Sequence, residues 1–366
     1  MNILVHGGVY RNNYQLGIRR YYDQLLPRLV ARGVTVSLWL DGLHAGGLPP
    51  RCRIIGCRAK YVAPSDWPRR AWRKLSPPRV SEPVGPFDAY HGTFFQPPPQ
   101  GQTYLPEVCT VHDMIAERFP ELCGEEGRQQ AEAKAEAIRR ATQIITISKA
   151  TAEELLRFYP EVEGRVSAIH LGADHIPLAQ RRRATGYWTR KLGSAFALHV
   201  GHRDSYKNFA QVIEAARSNR WPTGLRVAVV GPEPSDYERR KTAPHEDRFS
   251  FLGPQSDRQV AALMAEAAFA IVPSRCEGFG LPVLEAQRYG TPVLCSDIPV
   301  FHEVAGDGAE FFPLDSADAL AERAGALLED GGLRERLRDR GHTNSARFLW
   351  DDCADLTMDV FRKALA

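Results

Sequence analysis

Ser274-Arg275-Cys276-Glu277-Gly278-Phe279-Gly280-Leu281-Pro282-Val283-Leu284-Glu285 is the stretch on which the reading of this chain turns. It follows Phe269-Ala270-Ile271-Val272-Pro273, an apolar run with the length of a buried strand. Glycines at 278 and 280 and a proline at 282 then mark a turn that opens a helix. A strand, a glycine-bearing loop and a helix N-terminus suit an anion, because unsatisfied N–H groups and the positive dipole end converge on one spot. Pro282 removes only a donor that a first helical turn cannot use. Glu277 falls in the loop and Glu285 about one turn inside the helix. Carboxylates at both places point to a ligand that carries hydroxyls as well as phosphate, such as a nucleotide sugar.

The rest of the chain is long enough to supply such a site with a scaffold. Its 366 residues allow two domains with separate cores, and 43% apolar with 25% charged residues is the composition of a soluble globular protein. No apolar run approaches the roughly 20 residues of a membrane span. The N-terminus enters a strand directly, with no basic region or cleavage site, and the seven cysteines are odd in number and scattered. The expectation is a cytoplasmic protein with reduced thiols. Net charge is +3, yet residues 1–100 hold 14 Lys/Arg against 5 Asp/Glu. That bias favours an anionic partner. Segment 67–75, Trp-Pro-Arg-Arg-Ala-Trp-Arg-Lys-Leu, mixes aromatics and cations as interfacial segments do, which would make the protein peripheral to the inner membrane face; the alternative is a solvated loop with inward tryptophans.

Apolar runs of strand length alternate with amphipathic stretches, so the fold class is α/β with parallel sheets. Strands are expected at 3–6, 34–40, 89–93, 108–112, 144–147 and 166–170, with helices over 17–32, 125–141 and 149–158. Residues 42–85 give no clear period. A composition break after 171–174 leads into 175–193, which reads as a linker with three consecutive arginines. Alternation restarts with strands at 195–200, 226–230, 249–252, 269–273, 292–295 and 309–312 and helices at 207–218, 257–267, 281–289 and 316–329. Helices over 331–347 and 350–364 close the chain. Two doubly wound domains, 1–174 and 175–349, follow, with ligands expected beyond the C-terminal strand ends.

Other motifs have competing readings. Gly201-His202-Arg203-Asp204-Ser205-Tyr206-Lys207-Asn208 follows a strand and opens a helix, and Arg203 and Lys207 there suit a diphosphate or are solvated turn charges. Glu285 either accepts from ligand hydroxyls or pairs with Arg288 along the helix. His112-Asp113 ends a strand, with Asp113 able to cap the short helix that follows. Gly7-Gly8 and Gly17 bracket the first loop, and Ser148 reads as a helix N-cap. The chain holds neither an Asp-x-Asp pair nor a Walker-type phosphate loop, which argues against a diphosphate-bound metal and against an NTPase.

The Glu277-x7-Glu285 spacing with Gly-Phe-Gly-Leu-Pro between the acids resembles family 4 of the retaining glycosyltransferases, which have the two-domain GT-B fold. The resemblance implies two Rossmann-like domains facing across a cleft: an acceptor-binding domain, 1–174, completed by the returning helix 350–366, and a donor-binding domain, 175–349. It implies that Arg203 and Lys207 neutralise the donor diphosphate, with Gly17 against it. By the same resemblance Glu277 and His112 meet the transferred sugar, and Glu285 binds the ribose. Gly278, Phe279, Gly280 and Leu281 would bring backbone amides to the donor. The implied reaction moves a hexose, first of all mannose from GDP-mannose, to a glycan or lipid-linked saccharide in cell-surface polysaccharide synthesis, with no cofactor and no obligatory metal. A nucleotide-sugar epimerase or hydrolase of the same fold, and a non-catalytic binder of nucleic acid or another anionic ligand, are the rivals.

Overall fold

A computed structural model describes residues 1–11, 16–42, 47–56, 82–176, 186–203 and 205–366. The segment 67–75 and most of 42–85 therefore lie outside the described residues, as does the middle of the expected linker. The chain divides into two compact units, 1–172 with 350–366, and 173–349. The division falls after Gly172, two residues before position 174.

In the first unit, β1 (Asn2–His6), β2 (Thr35–Leu40), β3 (Arg53–Gly56) and β4 (Ala89–Gly92) form a parallel sheet in the order β3-β2-β1-β4. Strands β5 (Val108–Val111), β6 (Gln143–Thr146) and β7 (Val166–Ala168) form a second parallel set, which a single bridge from Tyr90 to Glu107 joins to β4. Every residue of β4 and β5 is buried, so the polar side chains of His91 and Thr110 lie inside with their apolar neighbours. β3 lies at the edge and is half-buried, which explains why 42–85 gave no strand signal. The expected helix over 125–141 begins instead at Pro120, and Gly124 breaks it with φ 61° and ψ −161°.

The helix Trp350–Leu365 belongs to this first unit. It buries Trp350, Cys353, Ala354, Thr357, Met358 and Phe361, a helical spacing that makes one apolar face. That face packs against the helix Leu16–Ala31 and the sheet, with Phe361 meeting the His91 ring at 6.0 Å and Trp350 meeting Tyr21 at 6.2 Å. Arg32 fastens the helix start by donating from Nε to Asp355 at 2.5 Å and from Nη2 to Asp351 at 3.0 Å.

The second unit is a six-stranded parallel sheet, β8 (Ala195–Val200), β9 (Leu225–Val230), β10 (Phe249–Gly253), β11 (Phe269–Val272), β12 (Val293–Ser296) and β13 (Ala309–Phe312), in the order β10-β9-β8-β11-β12-β13. Its core gathers Val227, Val229, Phe269, Ile271, Leu294 and Phe312 under the helices Phe209–Arg217 and Ala317–Glu329. The chain winds outward from β8 to β10, then crosses back and winds the other way from β11 to β13. The loops after β8 and β11 consequently sit side by side at the reversal, where open α/β sheets bind ligands.

Besides β3, three α-helices among the described residues escaped the sequence. Asp236–Thr242 and Pro299–Ala305 are seven-residue helices, too short to show a period. Tyr187–Leu192 is a helix inside the expected linker, and Glu266 secures its start by accepting from the N–H groups of Tyr187, Trp188 and Thr189.

Candidate active site

The loop after β11 is shaped by Gly280, which caps the helix Leu281–Arg288 with φ +95°. A Cβ there would also lie 2.7 Å from the Phe301 ring, so glycine is required twice over. Phe279 points inward, 2% exposed and edge-on to Phe348 at 5.9 Å, and this fixes the loop to the core. Only its backbone is left to meet a ligand.

The loop after β8 is held to its neighbour by backbone and side chain. Arg275 donates its N–H to the Tyr206 carbonyl at 2.8 Å. Lys207 Nζ lies 2.6 Å from Glu277 Oε1, and Ser274, 1% exposed, donates to the same oxygen at 2.7 Å. Asn208 takes the left-handed conformation, φ 54°, at the start of the helix Phe209–Arg217. Asparagine tolerates that region best among non-glycine residues, and its amide donates to Gln211, which in turn donates to the Pro313 carbonyl. Lys207 therefore projects from a fixed hinge toward Glu277, with 22% of its side chain still exposed.

Arg203 behaves differently from the sequence expectation. Its guanidinium engages Glu238, not Glu277, donating from Nε at 2.6 Å, and it reaches the carbonyls of Pro232 and Glu233 at 2.8 and 3.1 Å. Burial pushes the Glu238 carboxyl up, but hydrogen bonds from Arg203 and the Ser235 N–H outweigh it, so its pKa lies below the ordinary carboxylate value. The two cations of this loop thus have separate partners.

Glu285 does not pair with Arg288. Arg288 is buried and donates to the carbonyls of Ile176 and Ser345 at 2.5 and 3.3 Å, and burial lowers its pKa. Glu285 instead lies 3.9 Å from His175 Nε2, a residue that sequence reading placed in a linker. No local signal marks His175; its place beside Glu285 follows from Arg288 gripping the Ile176 carbonyl next door.

In the first unit His112 follows β5 and is 8% exposed, with its ring against Tyr21 at 5.2 Å. Its Nε2 is buried and meets no hydrogen-bond partner among the described residues. Burial pulls its pKa down to about 4, against the opposite pull of Asp113, so the ring is neutral at pH 7. Asp113 accepts from the Ile115 N–H at 3.1 Å, as a capping residue does. Lys134, itself buried, donates to the Asp113 carbonyl and to Glu117, both at 2.9 Å, and so holds the loop that carries His112. Gly17 sits exposed near the start of Leu16–Ala31, and a Cβ there would meet nothing within 4 Å. By contrast a Cβ at Gly7 or Gly8 would strike Leu40 or Gln96, so packing alone explains that pair.

Comparison with known proteins gives the family. The model for glycosyl transferases group 1 matches residues 186–343, and the model for glycosyltransferase family 4 matches residues 17–175. O-antigen chain mannosyltransferase B of Escherichia coli is 26% identical over 309 residues, covering 80% of this chain and 79% of that one. Among solved structures, sucrose-phosphate synthase of Thermosynechococcus elongatus superposes with a TM-score of 0.71 at 19% identity, over 99% of this chain and 98% of that one. Anabaena HepE in complex with UDP-glucose gives 0.69 at 16% identity, over 99% of each chain. Matched in both halves and sharing the fold throughout, the chain belongs to the group 1, family 4 glycosyltransferases and has the GT-B architecture of two Rossmann-like domains.

Proposed function

We propose that the chain transfers a hexose from a nucleotide diphosphate sugar to a hydroxyl of a glycan or lipid-linked saccharide, with retention at the anomeric carbon, in the assembly of a cell-surface polysaccharide. The observation that carries this reading is the Lys207–Glu277 pair, 2.6 Å apart at the reversal of the sheet and beside the start of the helix Leu281–Arg288. Breaking the anomeric C–O bond puts negative charge on the departing diphosphate and positive charge on the sugar ring. A cation and a helix N-terminus fixed in advance stabilise the first, and such groups are worth about 3–4 kcal/mol apiece in a water-poor site. An incoming phosphate competes with Glu277 for Lys207, and the freed Glu277 accepts from sugar hydroxyls. Glu285 accepts from the ribose hydroxyls, and the backbone of residues 278–281 meets the phosphate.

Acceptor attack on the face from which the diphosphate leaves gives retention: the acceptor oxygen bonds to the anomeric carbon while its proton passes to the departing phosphate oxygen. By the family resemblance Gly17 is assigned to the diphosphate and His112 to the sugar, the ring, neutral at pH 7, acting by hydrogen bonding rather than by giving up a proton. Charge from Lys207 and the backbone amides makes a metal dispensable in this reading, so EDTA should leave turnover unchanged. Mannose is the first sugar to try because a mannosyltransferase is among the relatives, and UDP-glucose in HepE keeps uridine donors in the panel. The protein is proposed to work at the cytoplasmic membrane face, with 67–75 binding anionic vesicles. No helix among the described residues is long and apolar enough to cross a membrane.

Thermal unfolding with GDP-, UDP- and ADP-sugars identifies the donor, since a ligand raises the melting temperature according to its affinity. The matching donor should then yield product only when a saccharide acceptor is added, with the anomeric configuration kept. Sugar released from donor alone at the full rate would instead mean an epimerase or hydrolase. Activity intact in Lys207→Met and Glu277→Gln would remove the site altogether.

A further inference from the structure

Arg203 carries a positive charge at the edge of the proposed phosphate site, yet none of its nitrogens is available to a phosphate. Nε donates to Glu238 Oε1 at 2.6 Å, and Nη2 donates to the carbonyls of Pro232 and Glu233, with Glu238 Oε2 at 3.4 Å. Nη1 is sealed from solvent and finds no acceptor among the described residues. Gly231 lies close to it, since a Cβ placed there would come within 3.3 Å. A phosphate oxygen is no smaller than a water molecule, so an atom that water cannot touch cannot bind phosphate without a rearrangement. The guanidinium carbon also lies over the rings of Phe209 and Phe251, 5.7 and 5.5 Å from their centroids. The whole side chain is 5% exposed.

Glu238 is equally committed. It is the third residue of the helix Asp236–Thr242 and closes a capping box, accepting from the Ser235 N–H at 2.7 Å while its own N–H donates to Ser235 Oγ. Arg203 therefore ties the loop after β8 to the loop after β9. The far end of the β8 loop is tied to the β11 loop through Tyr206 and Lys207. Removing either partner of a buried pair leaves an uncompensated charge, which is why such a tie does not open readily.

We infer that Arg203 and Glu238 are positioning residues, a strut that holds the β8 loop so that Lys207 meets the diphosphate, and that Arg203 itself does not bind it. The inference rests on the proposed donor site for its ligand, but the strut has a signature without one.

Two measurements test it, using Glu238→Gln, which keeps the capping-box acceptor, and Arg203→Lys. Amide exchange on the ligand-free protein should speed up in Glu238→Gln over both 201–208 and 231–238; acceleration confined to 231–238 would mean a local helix cap and overturn the strut. Binding of GDP, GMP, UDP and UMP gives the second readout. Both variants should lower the preference for diphosphate over monophosphate of the binding base by the same factor, about tenfold, and neither should lower it further in a Lys207→Met background, because the strut acts only through Lys207. If Arg203→Lys lowers that preference further in Lys207→Met, Arg203 is a phosphate ligand; if Glu238→Gln tightens diphosphate binding, Glu238 is a competitor, and either result overturns the inference. If no nucleotide binds the unmodified protein, the donor reading fails and the exchange experiment still decides the strut.

Discussion

Lowering the pH from 8 to 5 should open the first unit well before the second, because the first unit buries neutral histidines. Burial, with help from Arg11, pulls His6 down to about 3. Burial alone pulls His91 down to about 4, against the opposite pull of the Val108 carbonyl, and His112 also to about 4. The hydrogen bonds agree with neutral rings. His91 donates from Nδ1 to the Val108 carbonyl at 2.7 Å and accepts at Nε2 from Tyr22, while His6 accepts at Nδ1 from the Gly8 N–H. The Nε2 of His6 lies 3.2 Å from the Asp41 carboxylate, whose pull toward the charged ring is offset by Arg11 paired with the same oxygen. These folded values lie below the unfolded value of about 6.5, so the unfolded chain takes up protons first as the pH falls. Stability is therefore full above about pH 7 and drains away from 6.5 down toward the folded values. A displacement from 6.5 to 4 amounts to about 2 kcal/mol per ring between pH 8 and 5. Three rings give about 6 kcal/mol, comparable to the whole stability of an ordinary domain. The second unit has His199, lowered by burial to about 4, and a partly exposed His342 lowered by the same cause, so its loss is nearer 2 kcal/mol. Urea unfolding followed by amide exchange mass spectrometry at pH 8, 6 and 5 resolves the units. His112→Leu should flatten the curve of the first unit by one proton. Equal protection of the first unit at pH 5 and 8, or earlier opening of the second, would refute the reasoning.

Lys207→Met should lower kcat/KM by two to three orders of magnitude, about 3–4 kcal/mol, in a transfer assay with the identified donor, while melting stays near that of the unmodified protein. Gly280→Ala should destabilise the second unit by about 1–3 kcal/mol, since its φ is +95° and the new methyl meets Phe301 at 2.7 Å; calorimetry checks this, and Phe301→Leu in the same chain should recover part of it. Trp350→Ala should cost the first unit about 3–5 kcal/mol, because Trp350 is fully buried there although it is distant in sequence. Amide exchange would show that loss over 1–172 and not over 173–349.

The parallel α/β class was legible because central strands buried along their whole length read as continuous apolar runs, as Phe269–Val272 illustrates. Where burial is one-sided or the element short, the signal fails. β3 is half-buried, Pro299–Ala305 spans only seven residues, and Tyr187–Leu192 owes its start to a carboxylate on a distant helix. The approach of Lys207 to Glu277 could be read from two loops that each follow a strand, since those strands are neighbours at the reversal. The partner of Arg203 could not, because Glu238 lies on a helix that shows no period and 35 residues away. His175 beside Glu285 was hidden for the same reason: its position is set by a buried arginine bonded to the next residue's carbonyl.

The helix Trp350–Leu365 belongs to the unit formed by residues 1–172, while the other unit is one continuous stretch. On the ribosome, residues 1–172 are made first yet lack their closing helix until 350–366 have been added. The continuous stretch has all its residues earlier, so it is the half able to reach its native state during synthesis. The buried surface that awaits Trp350 and Phe361 stays uncovered throughout that interval, which makes the nascent N-terminal half the natural client of a chaperone.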